Sequence, residues 1–153
     1  MKKIIYIIII CLTFVGCNTN YIKTDSLEEN TLIIEKININ EKYTINSINN
    51  DVNGIVMFEE LGRPDKKSNT VIGAHSGYGS NVYFNDLGKL ELNDIVKVIY
   101  NNNLYEYHVT NVKVVEETDI SILDDTDKNI LTLLTCKIGD RTKRIVIICE
   151  LYY

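Results

Sequence analysis

The sequence predicts a mostly β domain, built as a sandwich or a barrel. Isoleucine, valine and tyrosine greatly outnumber alanine, and this composition favours strands over helices. From Leu32 onwards, short apolar runs alternate with turns rich in asparagine, aspartate and glycine. A chain of 153 residues is long enough to bury one sizeable core. We therefore expect a single domain of short strands behind a distinct N-terminal segment.

The charge balance argues against a nucleic-acid partner. The net charge is −5 and the pI is near 5.0, and no basic stripe is present that would neutralise phosphates. The cysteines and histidines are too scattered for the paired spacing of structural zinc ligands. No loop has the ligand spacing of a calcium site. We therefore expect no cofactor, and the sequence does not indicate a calcium site, which leaves calcium dependence open.

The N-terminal segment has the pattern of a targeting signal. Two lysines precede an apolar run over 4–15, which is shorter than the roughly 20 residues of a membrane-spanning helix. The run ends at Gly16-Cys17 and then turns polar, which resembles a bacterial lipoprotein signal with Cys17 as the lipidated residue. An uncleaved signal anchor is the alternative. Both interpretations tether the remainder outside the cytoplasm, so we divide the chain into a signal or anchor (1–17), a polar tether (18–31) and a folded domain (32–153).

The strands are expected in the following order. Apolar or alternating runs occupy 32–39, 43–45, 54–58, 70–75, 94–100, 104–114, 130–136 and 144–151. Asn101-Asn102-Asn103 predicts a hairpin turn. Residues 81–90 are the best candidate for a short helix or a helical turn, because Phe84, Leu87 and Leu90 recur on one face. In the long run over 104–114, alternating tyrosines and valines predict a strand with one face buried.

Cys136 is the candidate nucleophile. It ends the apolar run Thr132–Cys136, and Arg141 and Arg144 follow closely. An exposed strand end near guanidinium groups favours the reactive thiolate. The alternative is a small buried hydrophobic residue, which is the commoner fate of a free cysteine. Cys149 lies within an apolar strand and is expected to be a core thiol, with both cysteines reduced.

His75 is the better of two candidate proton-transfer partners. It ends a predicted strand beside a glycine-rich loop, whereas His108 lies inside an alternating strand. Functional side chains concentrate at strand ends and in loops, while strand interiors serve packing. The alternative is a surface histidine with no role.

These motifs, taken together, resemble the sortase family. Thr132–Cys136 is similar to the TLxTC signature, and Arg144-Ile145-Val146 is similar to the arginine that opens the last sortase strand. Ala74-His75 resembles the segment with the catalytic histidine, and 83–94 resembles the stretch that follows it. The resemblance extends in the same order from Ile33 to the C-terminus. The short segment over 116–129 favours a compact class, perhaps class D-like.

The resemblance implies an eight-stranded β-barrel with one or two short helices and a cysteine transpeptidase activity. Cys136 would be the nucleophile, His75 the acid and base, and Arg144 the oxyanion donor, with Arg141 as the rival arginine. Thr135, Ala74 and Ser76 would contact the substrate. The implied partners are an LPxTG-like sorting signal and an amine of a cell-wall precursor or a pilin. The implied location is the outer face of the membrane of a Gram-positive-type bacterium.

Two other classes of function remain open from the sequence. One is a catalytically silent β-barrel lipoprotein that binds a peptide. The other is a thiol protease that releases its acyl group only to water. Labelling of Cys136 separates the enzyme from the binder, and product formed with and without an added amine separates transfer from hydrolysis.

Overall fold

Eight strands close into one β-barrel in the computed structural model, which describes residues 29–152. Around the barrel the strand order is β1-β2-β3-β4-β7-β8-β6-β5. The strands are β1 (Thr31–Ile34), β2 (Ile39–Asn46), β3 (Ile55–Phe58), β4 (Ser68–Ala74), β5 (Ile95–Tyr100), β6 (Asn103–Glu116), β7 (Asn129–Lys137) and β8 (Asp140–Leu151). The expected mostly β barrel of eight strands is confirmed.

The helical content of the described residues is three short 3₁₀ helices, Glu35–Ile37, Leu87–Lys89 and Ile120–Leu123. None of the helices within 29–152 has the length and apolar character needed to cross a bilayer. The predicted signal over 1–17, with its candidate lipidation site Cys17, lies outside the described residues. Thr31, the last residue of the predicted tether, is buried and opens β1.

The first predicted strand is interrupted. The run over 32–39 was expected to be continuous, but a 3₁₀ turn at Glu35–Ile37 divides it into β1 and the start of β2. Asn38 ends this turn in the left-handed conformation with φ of 55°, which asparagine adopts more readily than most residues. The division lets β1 and β2 pair with each other as an antiparallel hairpin.

Of the short helix or helical turn predicted over 81–90, the structure has the helical turn, a single 3₁₀ turn at Leu87–Lys89. The residues before it bind to the end of β4 instead, because Val82 bridges to His75 and the Phe84 amide donates to the His75 carbonyl (3.1 Å). The predicted apolar face is confirmed nevertheless. Phe84, Leu87 and Leu90 are all buried in the barrel core.

Strand β6 departs from the predicted one-sided burial. A bulge between Val109 and Asn111 shifts its register against β8. Tyr107 and Val109, before the bulge, are buried, whereas Val112 and Val114 beyond it are 38% and 51% exposed. The expectation of one continuous buried face was therefore wrong for the second half of the strand. The predicted turn before β6 is confirmed, since Asn101 and Asn102 both have positive φ, as a type I′ hairpin turn requires.

Candidate active site

Three predicted site residues lie in one row across neighbouring strands. Strand β7 lies between β4 and β8 in the barrel. Cys136 of β7 is directly opposite Arg144 of β8. On the other side, the parallel pairing of β4 with β7 ends at Gly73 and Leu134, so His75 follows at the level of Cys136. The row therefore runs His75, Cys136, Arg144, with the thiol in the middle.

This row lies on the face of the sheet that points away from the barrel core. Ile72, Leu133 and Ile147 belong to the main core cluster, and successive side chains of a strand alternate between faces. Cys136 is three positions beyond Leu133 and half-buried, and His75 is exposed. The thiol and imidazole are therefore open to a ligand that approaches from outside the barrel.

Two hydrogen bonds join the strand ends that carry His75 and Cys136. The buried Thr135 hydroxyl donates to the Ala74 carbonyl (2.7 Å). The Ser76 hydroxyl donates to the Cys136 carbonyl. Each bond involves a residue adjacent to the histidine and a residue at or beside the cysteine. Thr135, Ala74 and Ser76, which were predicted to contact substrate, thus hold the β4 and β7 ends together.

The guanidinium of Arg144 is held by three hydrogen bonds within the chain. Its Nη1 donates to the carbonyls of Arg141 (2.7 Å) and Lys143 (3.2 Å). Its Nη2 donates to a carboxylate oxygen of Glu117 (3.1 Å), which follows β6. A guanidinium has five N–H donors, so these contacts within the described chain leave two for a ligand.

The loop after His75 is anchored by Asn85. The Gly77 amide donates to the side-chain carbonyl of Asn85 (2.7 Å), and the side-chain amide of Asn85 donates back to the Gly77 carbonyl (3.2 Å). The loop that flanks the histidine is therefore tied to the segment leading into the 3₁₀ turn Leu87–Lys89.

An apolar floor lies next to the row on the same face. Gly73, Leu134 and Val146 occupy the next cross-strand positions. The Phe58 ring packs over Gly73, where an added Cβ would lie only 3.0 Å from the ring. Glycine at this position therefore allows the aromatic ring to lie against the sheet. A second apolar cluster of Val56, Phe58 and Val71 extends this floor, with Val52, Leu61 and Leu123 packed against it.

A cavity of about 340 Å³ lies on the opposite side of Cys136, beyond the strand ends. Its lining comes from the loop after His75 and from the β7–β8 turn, namely Ser76, Gly77, Tyr78, Cys136, Lys137, Ile138, Gly139 and Arg141. The turn is short, because Lys137 and Asp140 are already paired and Gly139 adopts a φ of +83°. The two candidate arginines thus differ in position: Arg144 lies in the row, and Arg141 lies in the cavity.

The other histidine and the other cysteine of the domain lie elsewhere. His108 stacks on Tyr152, with ring centroids 4.4 Å apart, and lies 3.4 Å from Glu106. Cys149 is fully buried opposite Leu131, and burial raises the pKa of its thiol. Both cysteines of the described chain are free thiols. Within 29–152, no cluster of three or more histidine, cysteine, aspartate or glutamate side chains is arranged to hold a metal ion.

Two site residues were not identified from the sequence, Glu117 and Asn85. Glu117 contacts Arg144 across 27 positions of chain, a separation that only the β6–β8 pairing makes short. The sequence does contain a signal for this contact: the acidic pair Glu116-Glu117 ends a long predicted strand, and basic residues cluster over 141–144. Asn85 lies within the predicted helical segment, and the local pattern gives no sign of its hydrogen bonds to Gly77.

Comparison with known proteins identifies the family. The family model of the sortase domain matches residues 22–152. The chain belongs to the sortase family. Sortases are cysteine transpeptidases that act at the cell envelope of Gram-positive bacteria, and this chain is a cysteine transpeptidase of that family. A search of curated proteins found no significant match.

Solved sortase structures share the fold. Sortase C1 from Streptococcus agalactiae superimposes with a TM-score of 0.73 at 26% identity, covering 81% of this chain and 67% of that one. Clostridium perfringens sortase C, determined with its C-terminal cell wall sorting motif, gives 0.71 at 27% identity, covering 80% and 69%. The C. perfringens sortase D5 transpeptidase gives 0.71 at 24% identity, covering 80% and 78%, which supports the fold alone.

Proposed function

We propose that this sortase is tethered to the outer face of the membrane, cleaves an LPxTG-like sorting signal and transfers the acyl group to an amine. The proposed site residues are Cys136, His75 and Arg144, with Thr135, Ala74 and Ser76 at the substrate. The observation that supports this assignment most is the cross-strand row, because it brings a thiol, an imidazole and a guanidinium to one exposed face from three separate strands.

The first half-reaction forms a thioester. The Cys136 thiolate attacks the scissile Thr–Gly carbonyl carbon, and the C–N bond breaks. The imidazolium of His75 donates its proton to the leaving amine. Arg144 directs its two remaining N–H donors towards the developing oxyanion, where a preorganised donor is typically worth about 3 kcal/mol.

The second half-reaction transfers the acyl group. The acceptor amine attacks the thioester carbonyl carbon, its proton passes to the neutral imidazole of His75, and the C–S bond breaks to regenerate the thiolate. Water in place of the amine gives hydrolysis. The acyl peptide is proposed to lie along the side of Cys136 that leads to half-buried Leu134, on the same face as the thiol. Gly73 and Val146, the neighbours of Leu134 across the sheet, are buried and support that surface.

The proposed tether complements this chemistry. The signal or anchor over 1–17 and the polar segment after it would hold the domain near membrane-bound donors and acceptors. Tethering of this kind raises the effective concentration of both substrates without any new contact. Mass spectrometry of protein extracted from membranes distinguishes lipidated Cys17 from an intact signal anchor.

The decisive experiment is incubation with a panel of LPxTG-like peptides, with and without an added amine. We expect an acyl adduct on Cys136, identified by mass spectrometry, and an amine-dependent transfer product. Cys136→Ala should remove the adduct, and His75→Ala or Arg144→Ala should slow its formation. Product that persists in Cys136→Ala would rule out this nucleophile, and hydrolysis alone at saturating amine would rule out transfer.

A further inference from the structure

The cavity beside Cys136 has a charge opposite to that of the protein as a whole. The chain carries a net charge of −5, yet the two charged residues that line this cavity, Lys137 and Arg141, are both cationic. The remaining lining residues are neutral side chains and the thiol itself. An excess of positive charge at this one place indicates a ligand that carries negative charge.

Both cations are available to a ligand. Within 29–152, the side chains of Lys137 and Arg141 make no hydrogen bond or ion pair, and Arg141 contacts Arg144 only through its backbone carbonyl. The other two cations of the hairpin are occupied, since Lys143 pairs with Glu116 (3.0 Å) and Arg144 with Glu117 (3.1 Å).

Asp140 lies between Lys137 and Arg141 in the sequence, and its carboxylate is hydrogen-bonded to Thr142. The carboxylate of Asp140 accepts hydrogen bonds from the Thr142 hydroxyl (2.6 Å) and the Thr142 amide (3.2 Å). The hydroxyl bond is the largest cause that lowers the pKa of Asp140, and the nearby ammonium groups of Lys143 and Lys137 lower it further. Within 29–152 Asp140 forms no ion pair with Lys137 or Arg141, so both cations keep their N–H donors for a ligand.

The position of the cavity indicates that its ligand belongs to the amine that leaves or enters at the thioester. The apolar floor lies on one side of Cys136 and the cavity on the other. With the acyl peptide on the floor, the leaving amine departs and the acceptor amine enters on the remaining side of the thioester. A group attached to that amine would then lie against Lys137 and Arg141.

We propose that the cavity formed by the loop after His75 and the β7–β8 turn is the acceptor site, and that it selects amines carrying a nearby carboxylate. This inference rests on the proposed transpeptidation. The carboxylate would contact Lys137 and Arg141 while the amine reaches the thioester on Cys136.

A competition experiment tests the proposal. The full chain is acylated with whichever panel peptide forms an adduct on Cys136, in the presence of equal amounts of glycylglycine and glycylglycinamide. These acceptors present similar amines and differ in the carboxylate at the far end. Because both compete for one acyl-enzyme, the product ratio reports only the second step.

We expect the carboxylate acceptor to be preferred by about threefold to tenfold, the range of a partly screened charge pair. The preference should fall towards unity in Lys137→Gln/Arg141→Gln, and also at about 1 M salt, where charges are screened within ~3 Å. The matched control Lys143→Gln removes a cation from the same hairpin that points to Glu116, and it should keep the wild-type ratio.

Equal use of the two acceptors by the wild-type enzyme would overturn the acceptor-site proposal while leaving the transpeptidase intact. An unchanged ratio in the double variant, with a melting temperature close to wild type, would overturn it as well. Failure to form any adduct on Cys136 across the panel would instead refute the proposed function. The two failures are therefore distinguishable.

Discussion

At the scale of single residues, the site depends on hydrogen bonds that fix the proposed reactive groups and the strand ends that carry them. Arg144 lies opposite Cys136, and the carboxylate of Glu117 anchors its guanidinium. Thr135 and Ser76 tie the strand end of the thiol to that of the imidazole. None of these bonds involves the reacting atoms, yet each restricts where a reacting group can lie.

Glu117→Gln should lower kcat by about threefold to tenfold with KM little changed, because Glu117 positions Arg144, the proposed oxyanion donor. The matched control is Glu116→Gln, which removes the neighbouring charge but frees Lys143 instead of Arg144. Steady-state kinetics of both variants, with Glu117→Asp as a rescue, checks the prediction. Equal losses in the two variants would indicate a general effect of charge.

Thr135→Val should destabilise the fold by about 1–2 kcal/mol, because it leaves the buried Ala74 carbonyl without its hydroxyl donor. Thr70→Val is the control, since the Thr70 hydroxyl is buried without a partner among the described residues, and its loss should be neutral or stabilising. Urea unfolding of both variants measures the difference. A similar cost for the two would show that the Thr135 bond contributes nothing specific.

At the scale of elements, the connection between β6 and β7 is positioned by one buried side chain. The Asn69 amide donates to the carbonyls of Ile122 (3.0 Å) and Asp124 (3.2 Å). Its carbonyl accepts from the Thr132 hydroxyl (2.7 Å). One side chain of β4 thus links β7 to a connection that begins with Glu117.

Asn69→Leu should destabilise the protein by about 2–3 kcal/mol and accelerate amide exchange over 117–128, since it leaves several buried polar groups unpaired. Asn40→Leu, an exposed asparagine of β2, should change stability by less than about 0.5 kcal/mol. Hydrogen exchange read by mass spectrometry compares the segments. Unchanged protection of 117–128 in Asn69→Leu would contradict the anchoring role.

At the scale of the whole molecule, barrel closure separates the two thiols of the domain. The pairing of β1 with β5 closes the sheet around a single core that contains Cys149. Cys136 lies on the other face of the same hairpin and is half-buried. Their reactivities are thus set by the two faces of one sheet.

Native protein treated with a thiol reagent at mildly alkaline pH should be modified at Cys136, while Cys149 should react only after global unfolding. Burial raises the pKa of Cys149, so its thiolate is scarce as well as inaccessible. Peptide mapping with and without denaturant measures both sites. Rapid native labelling of Cys149 would show that the β7–β8 sheet opens locally.

Local sequence predicted those features that depend on neighbours along the chain. The alternating apolar runs predict most of the strands, because a sheet with one buried face requires that period. Paired asparagines predict the turn before β6, since few residues adopt positive φ easily. The ordered motifs around His75, Cys136 and Arg144 identify the family, and the match over 22–152 confirms it.

Other features required contacts between distant segments. The bulge in β6 is defined by the pairing of β6 with β8, which the sequence of β6 does not contain. The segment over 82–84 is held by bonds to His75, and these prevail over its helical spacing.

By itself, the sequence determined the fold class, the family and the candidate reactive residues, because these follow from local pattern and motif order. Only the tertiary structure decided that Arg144 lies opposite the thiol while Arg141 lines the neighbouring cavity, and that Glu117 anchors Arg144. The physical reason is strand register. A one-residue shift between β7 and β8 would move every side chain to the other face, and no local pattern specifies that alignment.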